Sequence, residues 1–517
     1  MNLIQSVEWA VIAPPLIAAV AAVAVLVTDL FLPAARKAVL GWLAVGGLAL
    51  AALALVPLRD GDRATFCLPG DAGLCSYSAD RFAVIVQLLV LAGAFLAALL
   101  SLPGSGERDN KGADGRVDGR VDGEQAPPSG EFWFLLLCSA SGAALLPAAR
   151  DLATLVIALE VTTLPAYALV GLRRAGAPVR NAGPEAALKF FLASVTATAV
   201  GLLGISFVYA GAGSLHLAEI AEQLPAADPR LATLAEAGVV LTLVAFAFKV
   251  AAVPFHFWVP ETYLGAPLPV AAYLSVVGKT AGLAGLALVT SGAFPGHGDL
   301  WGPALAVLAG LTMTAGNAAA LRTDPEAPHS ALRLLAWSSV GQAGYLLVPL
   351  AAAAYTDEGA VGAAVAYALM YGAVNLGAFA VAAHVARHAR AHRIADYGGL
   401  WARQPFAALA LAFFLLCLAG LPPGVIGLFA KVAVFESAVD AGLGALAVVM
   451  ALNVAIALFY YLRWTAVLFR AAPGGASRVG SRPAAPLTGV IALTAAAGAI
   501  LSGAPQIILT FTSGTFL

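Results

Sequence analysis

The sequence predicts an all-α polytopic membrane protein with about fourteen transmembrane helices. Three observations carry that prediction. Hydrophobic residues make up 61% of the chain and charged residues 11%, against about 25% charge in a soluble domain. The apolar residues gather into fourteen segments of spanning length; at a 1.5 Å rise, about 20 residues cross a bilayer core. Basic residues alternate between connections: of 28 lysines and arginines, twenty lie on or near odd-numbered loops, five on the even-numbered side and three inside segments.

The segments cover 9–31, 38–57, 81–102, 131–149, 151–171, 186–210, 231–255, 267–290, 300–321, 331–354, 360–385, 405–435, 442–468 and 485–511. No lysine or arginine occurs in 1–7, so the first segment reads as a retained helix rather than a signal peptide. Residues 104–130 are glycine-rich and charged, repeat GRVD, and read as a disordered surface loop. The expected divisions are three helices in 1–103, that loop, five-helix units in 131–290 and 300–470, and a last helix in 485–511. The positive-inside rule puts the odd loops in the cytoplasm and both termini outside. The expected location is a bacterial inner membrane.

Cys67 and Cys75 then share a loop on the oxidising side, where a disulfide and two free thiols are both open. Cys138 and Cys417 lie in apolar runs and read as inert core residues. No CxxC, HExxH or GxGxxG pattern occurs, so no metal, iron–sulfur or dinucleotide site is expected in this chain. Gly278-Lys279-Thr280 imitates the end of a phosphate loop, but the earlier glycine falls at Tyr273. No nucleic-acid partner is expected; the lipid bilayer is.

Two segments are interrupted. The seventh holds Pro254, with Pro260 beyond it; the twelfth holds Gly420-Leu421-Pro422-Pro423-Gly424. Proline removes a ladder donor and clashes with the preceding turn. Breaks five segments apart are the mark of internal repeats, so segments 4–8 and 9–13 are expected to be repeats. Five is odd, so the second copy would be inverted. Simple proline kinks are the alternative.

Charges inside the segments are few. Lys249 has twelve uncharged residues before it and eleven after, and Lys279 has no charge before it back to Glu261. Eleven residues span about 16 Å, and a lysine arm of about 6 Å cannot carry the ammonium to water. Intramembrane ionisable groups are costly and are usually kept for function. Glu160, about 14 Å into segment five, is the natural partner of Lys249. Lys431 follows the second break, with Glu436 and Asp440 near enough to let it snorkel in part. Lys189 begins segment six as a flanking charge. His256 beside the first break could relay protons or hold structure. Glu261 and Tyr263 read as fixing the geometry of the break. Tyr367, Tyr371 and Asn375 give segment eleven one polar face, which could line water or bond between helices. Burial weakens an amine's hold on its proton and a nearby carboxylate restores it. A proton relay over Glu160, Lys249, Lys279 and Lys431, joined by water, is therefore expected. Carbonyls satisfying the lysines for structure alone are the alternative.

The stretch FKVAAVPFHFWVPETYLGAPLPVAAYLSVVGKTAG resembles the antiporter-like membrane subunits of respiratory complex I, the NADH-quinone oxidoreductase. The lysine in SVVGKTAG and the one in LAGLPPGVIGLFAKVAVF are similar to those of its N-type subunits, where M-type subunits carry a glutamate in the twelfth helix. HSALRLLAWSSVGQAGYLL and DYGGLWARQPFAA add to the resemblance, which covers about 130–470. The 104–130 insertion and the Cys67/Cys75 loop depart from the pattern. The resemblance implies fourteen helices with two inverted five-helix repeats, and proton-relay roles for Glu160, Lys249, Lys279 and Lys431. It implies partners among the other complex I membrane subunits, including subunit M and small membrane subunits. NADH, FMN, iron–sulfur clusters and quinone would then be bound in partner subunits. The other readings are a subunit of a multi-subunit cation/proton antiporter and a structural scaffold.

Overall fold

The computed structural model describes residues 7–68, 71–103, 128–172, 182–356, 359–387, 391–471 and 484–510. The expected disorder of 104–130 falls almost wholly outside these residues, as do 1–6 and 511–517. The chain opens with α1 (Trp9–Phe31), α2 (Ala38–Leu53) and α3 (Arg81–Ser101). Next come α4 (Gly130–Leu145), α5 (Leu152–Gly171), α6 (Ala182–Ala212), the short α7 (Leu217–Gln223) and α8 (Ala232–Val250). α9 (Trp258–Gly265) follows a break; α10 (Leu268–Tyr273) and α11 (Lys279–Ala287) form one rod joined by a π-helical turn at Leu274–Gly278. The second half holds α12 (Gly298–Leu321), α13 (Ser330–Ala352), α14 (Ala360–Ala386), α15 (Leu400–Arg403), α16 (Pro405–Ala419) and α17 (Val425–Asp440). It closes with α18 (Gly444–Phe469), α19 (Ala485–Gly503) and the single turn α20 (Gln506–Leu509).

Thirteen helices among the described residues are long and apolar enough to span a membrane. The remaining expected span, the twelfth at 405–435, is instead α16 and α17, each too short to count alone. The reason is the expected one: the Gly420–Gly424 run cannot continue a helix. One local departure from an all-helical chain occurs. The loop holding Cys67 and Cys75 is an antiparallel hairpin, β1 (Arg63–Leu68) with β2 (Asp71–Ala79), and the two cysteines are disulfide-bonded. Its backbone does not stop there. Arg150 N donates to Ser76 O at 2.9 Å, and Asp151 forms a bridge with His216. The hairpin thus extends through the α4–α5 connection, and Asp151 caps α5 by accepting from Thr154 N at 2.7 Å.

Burial is uneven in a way that locates the site. In α13 and in the rod from Leu268 to Ala293, 94% of the best apolar window is buried inside the protein, and in α14 89%. In α6 and α19 the figure is 28%, so those helices line the outside. α14 touches α3, α10, α13, α16, α17 and α19. In lipid every backbone polar group must be satisfied by protein, and both breaks meet that demand. At the first, Ala251 turns into the left-handed region (φ 67°), Ala252 N returns to Ala247 O at 2.9 Å, and Trp258 Nε1 donates to Phe248 O. Val253 N is taken by Thr312 Oγ1 of α12 at 2.9 Å. At the second, Gly420 (φ 87°) ends α16, and Gly420 N and Leu421 N both return to Leu416 O at 2.9 Å.

α16 and α17 fold back on each other because Gly427 has no side chain. A Cβ there would lie 1.8 Å from the Cys417 carbonyl oxygen. Gly427→Ala is expected to force the halves apart and cost on the order of 3 kcal/mol. Gly489→Ala, where nothing lies within 4 Å, serves as the control. Thermal unfolding of the purified protein should show a lowered midpoint only for the first. A second prediction concerns the 391–403 segment. His392 is 4% exposed, and burial pushes its imidazole down to about 4. A depressed histidine pKa means the ring stays neutral in the fold while the opened segment takes up a proton. Local stability is therefore full above about pH 6.5 and is lost as pH falls toward 4, by on the order of 3 kcal/mol. Amide exchange over 391–403, corrected for intrinsic rates, should accelerate in that window and do so less in His392→Gln.

Candidate functional site

All three intramembrane lysines point into the protein. Lys249 lies in the last turn of α8 and is 4% exposed. Its position suits a cation, because the carbonyl end of a helix carries partial negative charge. The ammonium donates to Ser194 Oγ at 2.6 Å and Thr163 Oγ1 at 3.2 Å, with Tyr167 OH at 3.5 Å. Tyr167 OH in turn donates to Ser194 Oγ at 2.5 Å. Glu160 Oε1 stands 3.8 Å from the ammonium and accepts from Thr198 Oγ1 at 2.7 Å. The Glu160 side chain is 22% exposed against 4% for Lys249, so the pair runs from the rim of the α5/α6 face inward. One turn past Lys279, Gly282 allows this closeness: a Cβ there would lie 2.9 Å from Lys249 Cβ and 3.0 Å from its carbonyl carbon.

Lys279 opens α11 directly after the π-helical turn and is 1% exposed. Its ammonium donates to the Ser339 carbonyl and to Ser339 Oγ, the latter at 2.6 Å. Ser339 Oγ also meets Tyr371 OH at 2.8 Å, with Tyr263 OH at 3.5 Å. Asn375 Nδ2 donates to Ser275 Oγ at 2.8 Å, holding α14 against the π-helical turn. Lys431 is 4% exposed and donates to Leu418 O at 2.8 Å and Ala419 O at 2.7 Å. It does not snorkel toward Glu436 or Asp440. It turns instead to the carbonyls that the second break leaves at the end of α16. Each break thus holds an ammonium at a helix C-terminus, one from the helix itself and one from the helix that follows.

Polar side chains extend from Lys279 and from Lys431 toward each other and leave one gap, since among the described residues no hydrogen bond joins Ser339 to Ser338, its neighbour in sequence. Ser338 Oγ meets Tyr461 OH of α18 at 2.5 Å. Gln342 Nε2 donates to Tyr461 OH at 3.1 Å and reaches Leu418 O at 3.5 Å. Tyr367 OH donates to Gln342 Oε1. The polar face expected on α14 therefore bonds between helices and lies along this route. Among the described residues no hydrogen bond joins the Lys249 group to the Lys279 group. His256 lies in the first break with its ring 5.6 Å from Trp337. Among the described residues it bonds to none of the lysines. Lys189 pairs with Glu261 at 2.7 Å and Glu185 at 2.9 Å in an exposed cluster tying α6 to α9. That is the geometric role expected of Glu261.

Sequence reasoning found the charges and missed their cages. Ser194, Thr163, Ser338, Ser339, Gln342 and Tyr461 carry no individual signal, because hydroxyls in apolar helices usually bond their own backbone. Thr242 and Thr290 do so here.

The comparisons with known proteins agree with this fold. The family described as NADH:quinone oxidoreductase/Mrp antiporter, transmembrane, matches residues 149–457. Subunit N 2 of the NADH-quinone oxidoreductase of Streptomyces griseus subsp. griseus is 60% identical, covering 99% of this chain and 94% of its own. Subunit N from Salinispora tropica is 43% identical over 91% of this chain and 86% of its own. Among solved structures, a chain of respiratory complex I from Thermus thermophilus with bound aureothin aligns at a TM-score of 0.75 and 29% identity, covering 97% of this chain and all of that one. A chain of the Mrp complex from Dietzia shares the fold at a TM-score of 0.79, with 21% identity. The matched stretch holds both breaks and Glu160, Lys249, Lys279 and Lys431, and the chain belongs to the antiporter-like membrane subunits of NADH-quinone oxidoreductase, in the subunit N group.

Proposed function

We propose that this chain moves protons across the membrane by a relay over Glu160, Lys249, Lys279 and Lys431. The free energy would come from NADH oxidation and quinone reduction in other subunits. NADH, FMN, iron–sulfur clusters and quinone belong to those subunits in this reading, and subunit M and small membrane subunits are neighbours of this one. Residues 131–290 and 300–470 form two five-helix units of inverted sense, and both termini face outward, as the basic residues suggest.

The observation that carries the reading is the placement of three buried lysines among polar partners: Lys279 on Ser339, and Lys431 on a carbonyl that Gln342, Tyr461 and Ser338 extend back to the same helix one residue before Ser339. Apolar packing would be cheaper than this arrangement if the lysines only filled space. The chemistry follows from the distances. With Glu160 3.8 Å away, Lys249 keeps its proton. Drawing the carboxylate off by a few ångströms leaves the amine with hydroxyls alone, and the proton leaves through water toward Lys279. From there water across the step from Ser339 to Ser338, then hydroxyls and an amide side chain, each both donor and acceptor, carry it to Lys431. His256 could serve the water-filled step beside the first break. The family is shared with cation/proton antiporters, but identity at the 60% level to a subunit N favours the redox-driven assembly.

In reconstituted complex, Glu160→Gln, Lys279→Met and Lys431→Met are each expected to slow proton pumping about tenfold or more. NADH oxidation by a water-soluble acceptor should be unaffected. Lys279→Met should also leave thermal stability equal or higher, since an apolar replacement for a buried charge is often neutral or stabilising by about 1–4 kcal/mol. Normal pumping by the variants would remove the relay. A large stability loss in Lys279→Met would make that lysine structural.

A further inference from the structure

A charge held at membrane depth needs a counterpart, and the lysines find different ones. Lys249 has the Glu160 carboxylate at 3.8 Å. Lys431 has no such partner: among the described residues it forms no ion pair. Its hydrogen bonds go to the Leu418 and Ala419 carbonyls at the end of α16. An ammonium carries three N–H donors, so two carbonyls leave one over. The remaining contact is aromatic. Lys431 Nζ stands over the ring of Tyr345 on α13, 5.5 Å from its centre. The electron-rich face of an aromatic ring attracts a cation within about 6 Å, most strongly away from water, and Tyr345 is wholly buried. Its hydroxyl lies beside Asn317 but makes no hydrogen bond. Its ring is braced by Tyr367 of α14, with ring centres 5.9 Å apart. Tyr367 is held in turn by its bond to Gln342, three residues before Tyr345 on α13.

We propose that Tyr345 is a positioning residue for Lys431, and that its ring face supplies the negative partner which no carboxylate provides there. The proposal rests on the relay reading, in which Lys431 takes up and releases a proton. A ring suits that task. It attracts the charged amine and has no lone pair to take the proton, and no hydrogen bond to it must break when the proton leaves. The ring and not the hydroxyl carries the role, because the hydroxyl bonds nothing. The contact joins α13 to α17, so it depends on the fold and not on chain adjacency. Lys249 differs in this respect: the ring 5.9 Å from its ammonium belongs to Phe248, its neighbour in sequence, and Glu160 answers its charge.

The test uses the whole complex in vesicles, with Tyr345→Phe, Tyr345→Leu and Lys431→Met. Beside them stands a series in which Tyr345 is replaced by phenylalanine bearing one, two or three ring fluorines. Fluorine draws electrons from the ring face while nearly keeping its size, so it weakens the attraction and spares the packing. Tyr345→Phe is expected to pump within about twofold of the parent, and Tyr345→Leu about tenfold more slowly. Pumping should fall stepwise along the fluorinated series, which also decides the matter if Tyr345→Leu fails to assemble. The midpoint of thermal unfolding reads the same contact without the relay: it should fall with fluorination when Lys431 is present and stay level in the Lys431→Met background. A fluorinated series that pumps like Tyr345→Phe would make the ring packing alone and overturn the proposal. Slow pumping by Tyr345→Phe would assign the role to the hydroxyl and overturn it too. Normal pumping by Lys431→Met would instead overturn the relay, and with it the part the ring plays in pumping.

Discussion

The cost of holding an ammonium at membrane depth governs this structure. Each of the three buried lysines needs two or more oxygen partners within reach, and water cannot supply them all from bulk. The fold supplies them by giving up regular helix. At the first break α8 stops one residue after Lys249, which places the amine at a helix C-terminus. At the second, α16 stops so that Leu418 and Ala419 present carbonyls to Lys431. Between them the π-helical turn before Lys279 shifts the register of α11 and aims that amine at Ser339. π-Bulges often mark such functional insertions.

This arrangement also explains where the polar groups of the neighbouring helices lie. α13 offers Ser338, Ser339 and Gln342 within little more than one turn, and α14 offers Tyr367, Tyr371 and Asn375 at spacings of four. Those two helices are among the most buried in the protein, so their polar groups bond to one another, to Lys279 and to neighbouring helices. Glu160 differs in kind. Its side chain lies at the rim of the α5/α6 face and is 22% exposed. The hairpin bears on this same helix, since its ladder runs through Arg150 to the cap at Asp151.

Much of the fold was legible because membrane helices obey a simple rule of length and hydropathy. Segment limits such as 38–57, 81–102 and 267–290 fall within a few residues of the observed helices or their short extensions. Lys249, Lys279 and Glu160 stood out because a charge without a near neighbour of opposite sign is rare in such runs, and Lys431 because it follows the second break. The β-hairpin at Arg63–Ala79 was not legible. Its polar residues, two glycines and two cysteines look like any exposed loop, and pairing depends on contacts with the α4–α5 connection far along the chain. Lys431 misled in the same way. Its sequence neighbours Glu436 and Asp440 are acidic, but the backbone fold at Gly420 brings carbonyls closer than either.

The sequence by itself determined that this chain crosses the membrane many times, breaks two of its spans, and carries isolated amines where amines are expensive. Those properties are written in local composition, and local composition is enough to decide them. The tertiary structure decided which oxygens meet each amine, that α13 carries polar partners for both the Lys279 group and the Lys431 group, and that Cys67 joins Cys75. The physical reason is distance. A hydrogen bond forms or fails within a few tenths of an ångström, and only the packing of helices remote in sequence sets that separation.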